Sequence, residues 1–380
     1  MIPYSHQFID EEDIEAVGSV SGSDWLTQGP KVSEFELALA KYCGAKYVVA
    51  VSNGTAALQA AYFAAGIGSG DEVITSPMTF AATTNAAIWQ GAKPVFVDID
   101  EVGNIDPDLV EEKITPRTKA IVAIDYAGLP CDFDRLKNIA KKHDLFLIED
   151  AAHSLGAEYK GRKVGSIADM TTFSFHPVKS ITTGEGGAIA TDNKEFYEKL
   201  LLFRSHGITK DQAKFVNKNE GPWYHEMQEL GLNYRLTDIQ AALGISQLKK
   251  LPMFLEKREK LAERYSKELV GIKNLILPVY PDDKRSSLHL YPIRLAGALQ
   301  PLRGEVFKKL QEAGIGVQVH YIPVYWHPYY QKLGYKRGIC PKAEEWYESE
   351  ISIPIYPSLK KEDQEKVIGD LKAIIASLRG

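Results

Sequence analysis

"KYVVAVSNGTAALQAAYFAAG", residues 46–66, runs from a β-branched segment through a short turn into an alanine-rich helical segment. The segment YVVAV is apolar at every position, with none of the alternation of a strand that has one wet face. Strands of that kind lie in sheets covered on both sides. The unit then repeats. DEVITS (71–76) leads to the helical FAATTNAAIWQG (80–91), and KPVFVDID (93–100), DPDLVEEKI (106–114), KAIVAIDYAG (119–128), FDRLKNIAKKH (133–143) and LFLIED (145–150) continue the alternation. Strands alternating with helices predict right-handed crossovers and a mostly parallel sheet. MTTFSFH (170–176) and GGAIATD (186–192) bring the strands to seven. The connection between these two is tight, so at least one of the pair is expected to run antiparallel.

After Asn193 the pattern turns helical: KEFYEKLLLFRSHG, then RLTDIQAALGISQLKKL (235–251) and PMFLEKREKLAERYSKEL (252–269). The polar stretch 208–231 reads as an exposed loop. A second unit follows, with LHLYPIRL (288–295) and GVQVHY (316–321) as strands, RGEVFKKLQEAG (303–314) as a helix and an amphipathic helix at 361–378. The fold class is therefore α/β. Residues 1–250 form a large domain on a mostly parallel seven-stranded sheet, and residues 251–380 a smaller α+β C-terminal domain. The boundary lies near 250 to 275.

The 380 residues carry a net charge of -5 with both signs interspersed, which is no footprint for nucleic acid. Cys43, Cys131 and Cys340 are far apart and match neither zinc spacing nor a disulfide framework, as in a reducing compartment. No apolar run approaches the roughly 20 residues of a membrane span, and the polar N-terminus has no signal-peptide core. The expectation is a cytoplasmic protein with no membrane partner.

Three features fall at strand ends, where α/β sheets bind ligands. In SNGTAAL a helix starts directly after a strand, so its free N–H groups suit a phosphate; the bland alternative is an ordinary helix cap. In LFLIEDAAHS an apolar strand ends in Glu149 and Asp150. A buried carboxylate needs a positive partner, and a protonated ring nitrogen would serve; otherwise the acids are solvated. In SFHPVKSITTGEGG, Lys179 follows a strand and precedes glycines that permit close approach. Most lysines are surface charges. A phosphate cradle, an acid and then a lysine, in that order, is what a pyridoxal phosphate enzyme requires.

NGTAAL, PMTFAATTNAA, PVFVDID, IEDAAHSLGAEYKGRKVGSIAD, FSFHPVKSITTGEGGAIAT, LGLNYRLTDIQAALGISQL and VQVHYIPVY resemble the DegT/StrS family of sugar aminotransferases over nearly the whole chain. That resemblance implies pyridoxal phosphate fold type I, the aspartate aminotransferase-like architecture. YSHQFIDEED, WLTQGPKVSEFE, DYAGLPCDFD and LLLFRSHGITK are similar to the branch of pseudaminic acid biosynthesis. The implied activity is transfer of the amino group of L-glutamate to C4 of a UDP-linked 4-keto-6-deoxy-N-acetylhexosamine, by a ping-pong course. Lys179 matches the lysine that condenses with the cofactor, and Asp150 the acid at its ring nitrogen. Gly54, Thr55 and Ser174 match the phosphate cradle, and Phe80 the aromatic that stacks on the ring. Asn233 matches an asparagine lent to the phosphate by the other subunit, which implies a homodimer with shared active sites. His153 stands where many members carry glutamine near the ring hydroxyl. Tyr321 matches a position of the substrate pocket. Thr183 and Glu185 are either substrate contacts or turn residues.

Two other functions compete. One keeps the cofactor and takes another dTDP-, GDP- or UDP-linked keto sugar. The other is a catalytically silent binding module on the same fold. Retention of Lys179, Asp150 and Ser174 together speaks against the silent module.

Overall fold

A computed structural model describes residues 1–378. Its central sheet contains β1 (Tyr47–Val51), β2 (Glu72–Thr75), β3 (Lys93–Phe96), β4 (Thr118–Ile124), β5 (Phe146–Asp150), β6 (Met170–Ser174) and β7 (Gly187–Thr191). The strand order is β1-β7-β6-β5-β4-β2-β3. The pairs β2–β3, β2–β4, β4–β5 and β5–β6 are parallel. β7 is antiparallel to both neighbours, as its tight connection to β6 requires. Six strands therefore end on one edge of the sheet.

Both faces are covered, which accounts for the unbroken apolar runs. The preceding helices are α1 (Glu11–Ser21) and α2 (Pro30–Cys43); α3 (Gly54–Ala64), α4 (Ala82–Trp89), α5 (Phe133–Lys142) and α6 (Lys194–Arg204) interleave with the strands. Val49 and Val51 point toward Ala57 and Ala61 of α3 and Leu200 of α6. Their neighbours Val48 and Ala50 belong to the opposite layer, with Phe35 and Leu39 of α2 and Phe173. Helix α4 starts two residues later than the sequence suggests, leaving Phe80 on the preceding turn. The stretch 106–114 forms two short 3-10 turns.

The two helices expected at 235–251 and 252–269 are one helix, α7 (Asp238–Leu269), continuous through Pro252. An internal proline costs about 3 kcal/mol. Packing on each side outweighs it: Leu248, Leu251 and Leu255 lie in the core of the large sheet, and Ala262, Tyr265 and Leu269 in a second core. A capping box of Thr237 and Gln240 fixes its start.

The second core surrounds β8 (Leu275–Ile276), β9 (Tyr291–Leu295) and β10 (Glu350–Ile353), an antiparallel sheet ordered β8-β9-β10. Helices α8 (Arg303–Glu312) and α9 (Lys361–Ser377) cover it. The expected strand 316–321 is absent. Only single bridges form there, Ile315 to Ile2 and Gln318 to Ser352. Gln318 holds the β10 edge through Ser352, whose amide donates to its carbonyl at 2.8 Å, while the residues before it pair with the N-terminal segment, the Gly316 amide donating to the Ile2 carbonyl at 2.7 Å. The chain then turns away at His320. The three cysteines are buried and free. Among the described residues no helix is long and apolar enough to cross a membrane.

Phe35 is fully buried and packs edge-on against Phe175, just before the lysine loop, at 5.3 Å between centroids. Phe35→Ala is expected to destabilise the protein by about 3–5 kcal/mol, read as a fall in the thermal midpoint.

Candidate active site

The strand ends and the 318–321 segment enclose a cavity of about 930 Å³. Its floor begins where β1 meets α3. The Asn53 side chain caps the helix by accepting from the Ala56 amide at 2.8 Å. The amides of Gly54 and Thr55, in the first turn, have no intrahelical acceptor. Gly54 lies against the end of β6: a Cβ placed on it would approach the Ser174 Cβ to 2.9 Å and Oγ to 3.1 Å. Glycine is thus required for close approach. The Ser174 hydroxyl has no partner among the described residues. Open amides and a free hydroxyl on one concave surface form an anion cradle.

Asp150 ends β5 and is only 6% exposed. Its Oδ2 accepts from the Thr83 hydroxyl at 2.6 Å, and its Oδ1 from the Ala152 amide at 3.2 Å. Thr83 is itself braced by Thr79 at 2.7 Å. Burial raises the Asp150 pKa, against the Thr83 and Ala152 hydrogen bonds and the Lys179 charge. Glu149, one residue earlier, points to the other face, where its Oε2 accepts from Thr171 at 2.6 Å. Burial pushes its carboxyl well above the usual range.

Lys179 also lines the cavity. Its amine has no hydrogen-bonded acid among the described residues. Desolvation lowers its pKa to about 8, opposed only by the charge of Asp150. An amine with an appreciable neutral fraction near neutral pH is a nucleophile for carbonyls.

On the far wall, Tyr321 Oη meets His153 Nε2 at 2.8 Å. The His153 ring is buried against His289, at 4.3 Å between centroids. Desolvation and the nearby Lys179 charge hold His153 neutral, well below its usual pKa. Phe80 is 67% exposed, an open aromatic surface over the cavity.

The fold thus brings Gly54, Thr55, Phe80, Asp150, His153, Ser174, Lys179, Glu185 and Tyr321 to one cavity. Two expected residues lie outside it. Thr183 is buried in the turn, where its hydroxyl donates to the Glu185 carbonyl at 2.7 Å. That hydrogen bond is the turn role, one of the two roles expected for Thr183. Asn233 is exposed beside the β1 edge and bridges Ser205. Sequence reading missed Thr83, Asn53, His289 and His320. Thr79 and Thr83, four apart at the entry to an otherwise apolar helix, were the one available signal for the first.

These residues fit pyridoxal phosphate. The cradle would hold the phosphate, Asp150 would gain the cation it lacks at the ring nitrogen, and Phe80 would cover the ring. The profile of the DegT/DnrJ/EryC1/StrS aminotransferase family matches residues 7–372. The chain is 45% identical over 383 residues to the UDP-4-amino-4,6-dideoxy-N-acetyl-beta-L-altrosamine transaminase of Campylobacter jejuni, covering 100% of this chain and 99% of that one. The solved structure of Helicobacter pylori PseC, an aminotransferase involved in the biosynthesis of pseudoaminic acid, superposes with a TM-score of 0.93 at 37% identity, over 99% of each chain. The PLP-form of the putative sugar aminotransferase Spr1654 from Streptococcus pneumoniae does so at 0.92 and 33%, again over 99% of each.

The protonated Lys179 amine opposes folding of the cofactor-free protein. Its folded pKa lies below the unfolded value, so its cost is full below about pH 8 and disappears as pH rises toward 10.5. Lys179→Met is expected to stabilise the cofactor-free protein at pH 7 by on the order of 2 kcal/mol, a gain that fades above pH 8 in thermal melts.

Proposed function

This chain belongs to the DegT/DnrJ/EryC1/StrS aminotransferase family, and we propose that it transfers the amino group of L-glutamate to C4 of a UDP-linked 4-keto-6-deoxy-N-acetylhexosamine. The observation that carries the chemistry is a desolvated Lys179 amine with no hydrogen-bonded acid among the described residues, sharing a cavity wall with the buried Asp150. The substrate class rests on the Campylobacter relative, whose name specifies such an amino sugar.

The chain is a pyridoxal phosphate-dependent aminotransferase. When bound, the cofactor supplies an aldehyde that joins to amines and a ring that holds the electron pair released at the substrate carbon. Gly54, Thr55 and Ser174 bind its phosphate through amides and hydroxyl. Asp150, held by Thr83, would pair with the ring nitrogen, and that positive partner would favour its ionised form against the burial that raises its pKa. Lys179 removes the proton from Cα of glutamate, and in the second half of the cycle delivers one to C4 of the sugar. Its pKa of about 8 suits both directions. Phe80 shields one side of the site from water, while neutral His153 and the Tyr321 hydroxyl orient groups on the other. Glutamate leaves as 2-oxoglutarate before the keto sugar enters, so the two substrates use one site in turn.

We propose a homodimer in which Asn233 of each subunit reaches the phosphate bound by the other. Asn233 is exposed and outside its own chain's cavity. Exposed Leu230 and Leu232 flank it. A cytoplasmic site of action fits the free cysteines and the substrate classes.

Uptake of pyridoxal phosphate by the cofactor-free protein needs the neutral amine. Its rate, followed in the visible spectrum, should climb with pH through about 8 and vanish in Lys179→Ala. Incubation with L-glutamate and a panel of UDP-, dTDP- and GDP-linked keto sugars should yield a 4-amino product from the UDP-linked hexosamine. Product from a dTDP-linked sugar alone would reject the substrate and leave the chemistry standing.

A further inference from the structure

Glu350 at the start of β10 is fully buried, and no lysine or arginine forms an ion pair with it among the described residues. Its Oε2 accepts the backbone amide of His320 at 2.8 Å. Its Oε1 meets the hydroxyl of Ser352. That same hydroxyl lies 2.8 Å from Nδ1 of His320. The His320 ring forms part of the cavity wall, and its Nε2 has no partner among the described residues. The His320 carbonyl is fixed from the other side by the Tyr126 hydroxyl at 2.7 Å, which accepts from Trp346 Nε1 at 3.1 Å.

Ser352 has one proton and two neighbours that compete for it. With Glu350 ionised, Ser352 donates to the carboxylate. His320 Nδ1 must then carry the ring proton and donate to Ser352, which leaves Nε2 a bare acceptor. With Glu350 protonated, the carboxyl donates to Ser352, Ser352 donates to Nδ1, and the ring proton sits on Nε2. We propose that Glu350 is a positioning residue that acts through Ser352 to decide whether His320 offers a ligand in the cavity a hydrogen-bond donor or an acceptor. The donor form suits a carbonyl or carboxylate oxygen, and the acceptor form a hydroxyl or an amine.

The surroundings support the exchange. Burial raises the Glu350 carboxyl to about 8, while the Ser352 and His320 hydrogen bonds and the charge of Arg303 on α8 act the other way. Tyr126 and Tyr321 also face it. Around His320 stand Lys179, His153, His289 and the Tyr4 ring. Desolvation and the Lys179 charge push the His320 pKa down to about 3, so the ring is neutral in both states and only its tautomer changes.

The test uses full-length protein with 15N-labelled histidine, the His320 signals being assigned by their loss in His320→Gln. As pH rises through about 8, the wild-type ring should pass from the Nε2–H to the Nδ1–H pattern. Glu350→Gln keeps a donor toward Ser352, so it should lock the Nε2–H pattern at every pH. Ser352→Ala should abolish the exchange and Ser352→Thr restore it. A wild-type ring with one pattern from pH 6.5 to 9.5, or a Ser352→Ala ring that still exchanges, would overturn the proposal. The serine variants decide the matter if Glu350→Gln does not fold. No sugar substrate enters the measurement, so its failure is separate from any failure of the substrate assignment.

Discussion

Two charges that want each other, held in a place where neither is satisfied, organise this molecule. Asp150 and Lys179 line one cavity, each desolvated by burial, and no hydrogen bond joins them. Each pays a desolvation cost that a surface residue escapes. The fold tolerates this because the rest of the site is firmly built. Asp150 ends a central strand and is braced by a pair of threonines. Lys179 sits on a turn whose geometry is fixed by backbone bonds, with its own amide on the His176 carbonyl at 2.9 Å and the Thr183 amide on the Phe175 carbonyl at 3.0 Å. A ligand with an anionic end, a basic ring nitrogen and an electrophilic carbon answers all three demands at once.

The sheet topology is what makes such a meeting possible. Residues far apart in sequence arrive together because six strands finish on one edge. The single reversed strand, β7, also contributes there. Its first residue, Gly187, is so close to Asn53 that a Cβ would come within 2.4 Å of the Asn53 carbonyl oxygen. The turn that ends in Gly187 therefore seats the Lys179 loop beside the start of α3. Small residues at the edge and bulky ones in the layers behind it give a concave surface on a rigid base.

Much of this was legible in the chain. Continuous apolar strands announced a doubly covered sheet. The acid at 150 and the lysine at 179 stood out in combination, because a phosphate cradle, an acid and a lysine follow one another at strand ends, though each alone could be a solvated charge. What stayed hidden were features set by tertiary context. Pro252 reads as a break, yet two hydrophobic cores keep the helix continuous past it. GVQVHY has the composition of a strand, yet it makes one bridge to β10 and its first residue pairs with the N-terminal segment instead. Thr83 looks like an ordinary helical threonine until the fold carries it to a strand 67 residues away. Thr183 and Glu185 are two residues apart, yet one faces the cavity and the other bonds its own turn. Spacing alone does not distinguish them, because a glycine-bounded turn has no fixed period.

Helix α7 has a mechanical meaning of its own. Thirty-two residues long, it is embedded at one end beneath the lysine-bearing wall and at the other beneath the small sheet, which the segment leading to His320 and Tyr321 meets through the Gln318–Ser352 bridge. The two walls are thus mounted on one beam. To part the walls themselves would mean flexing the beam, and the place of least stiffness is the missing backbone bond at Pro252.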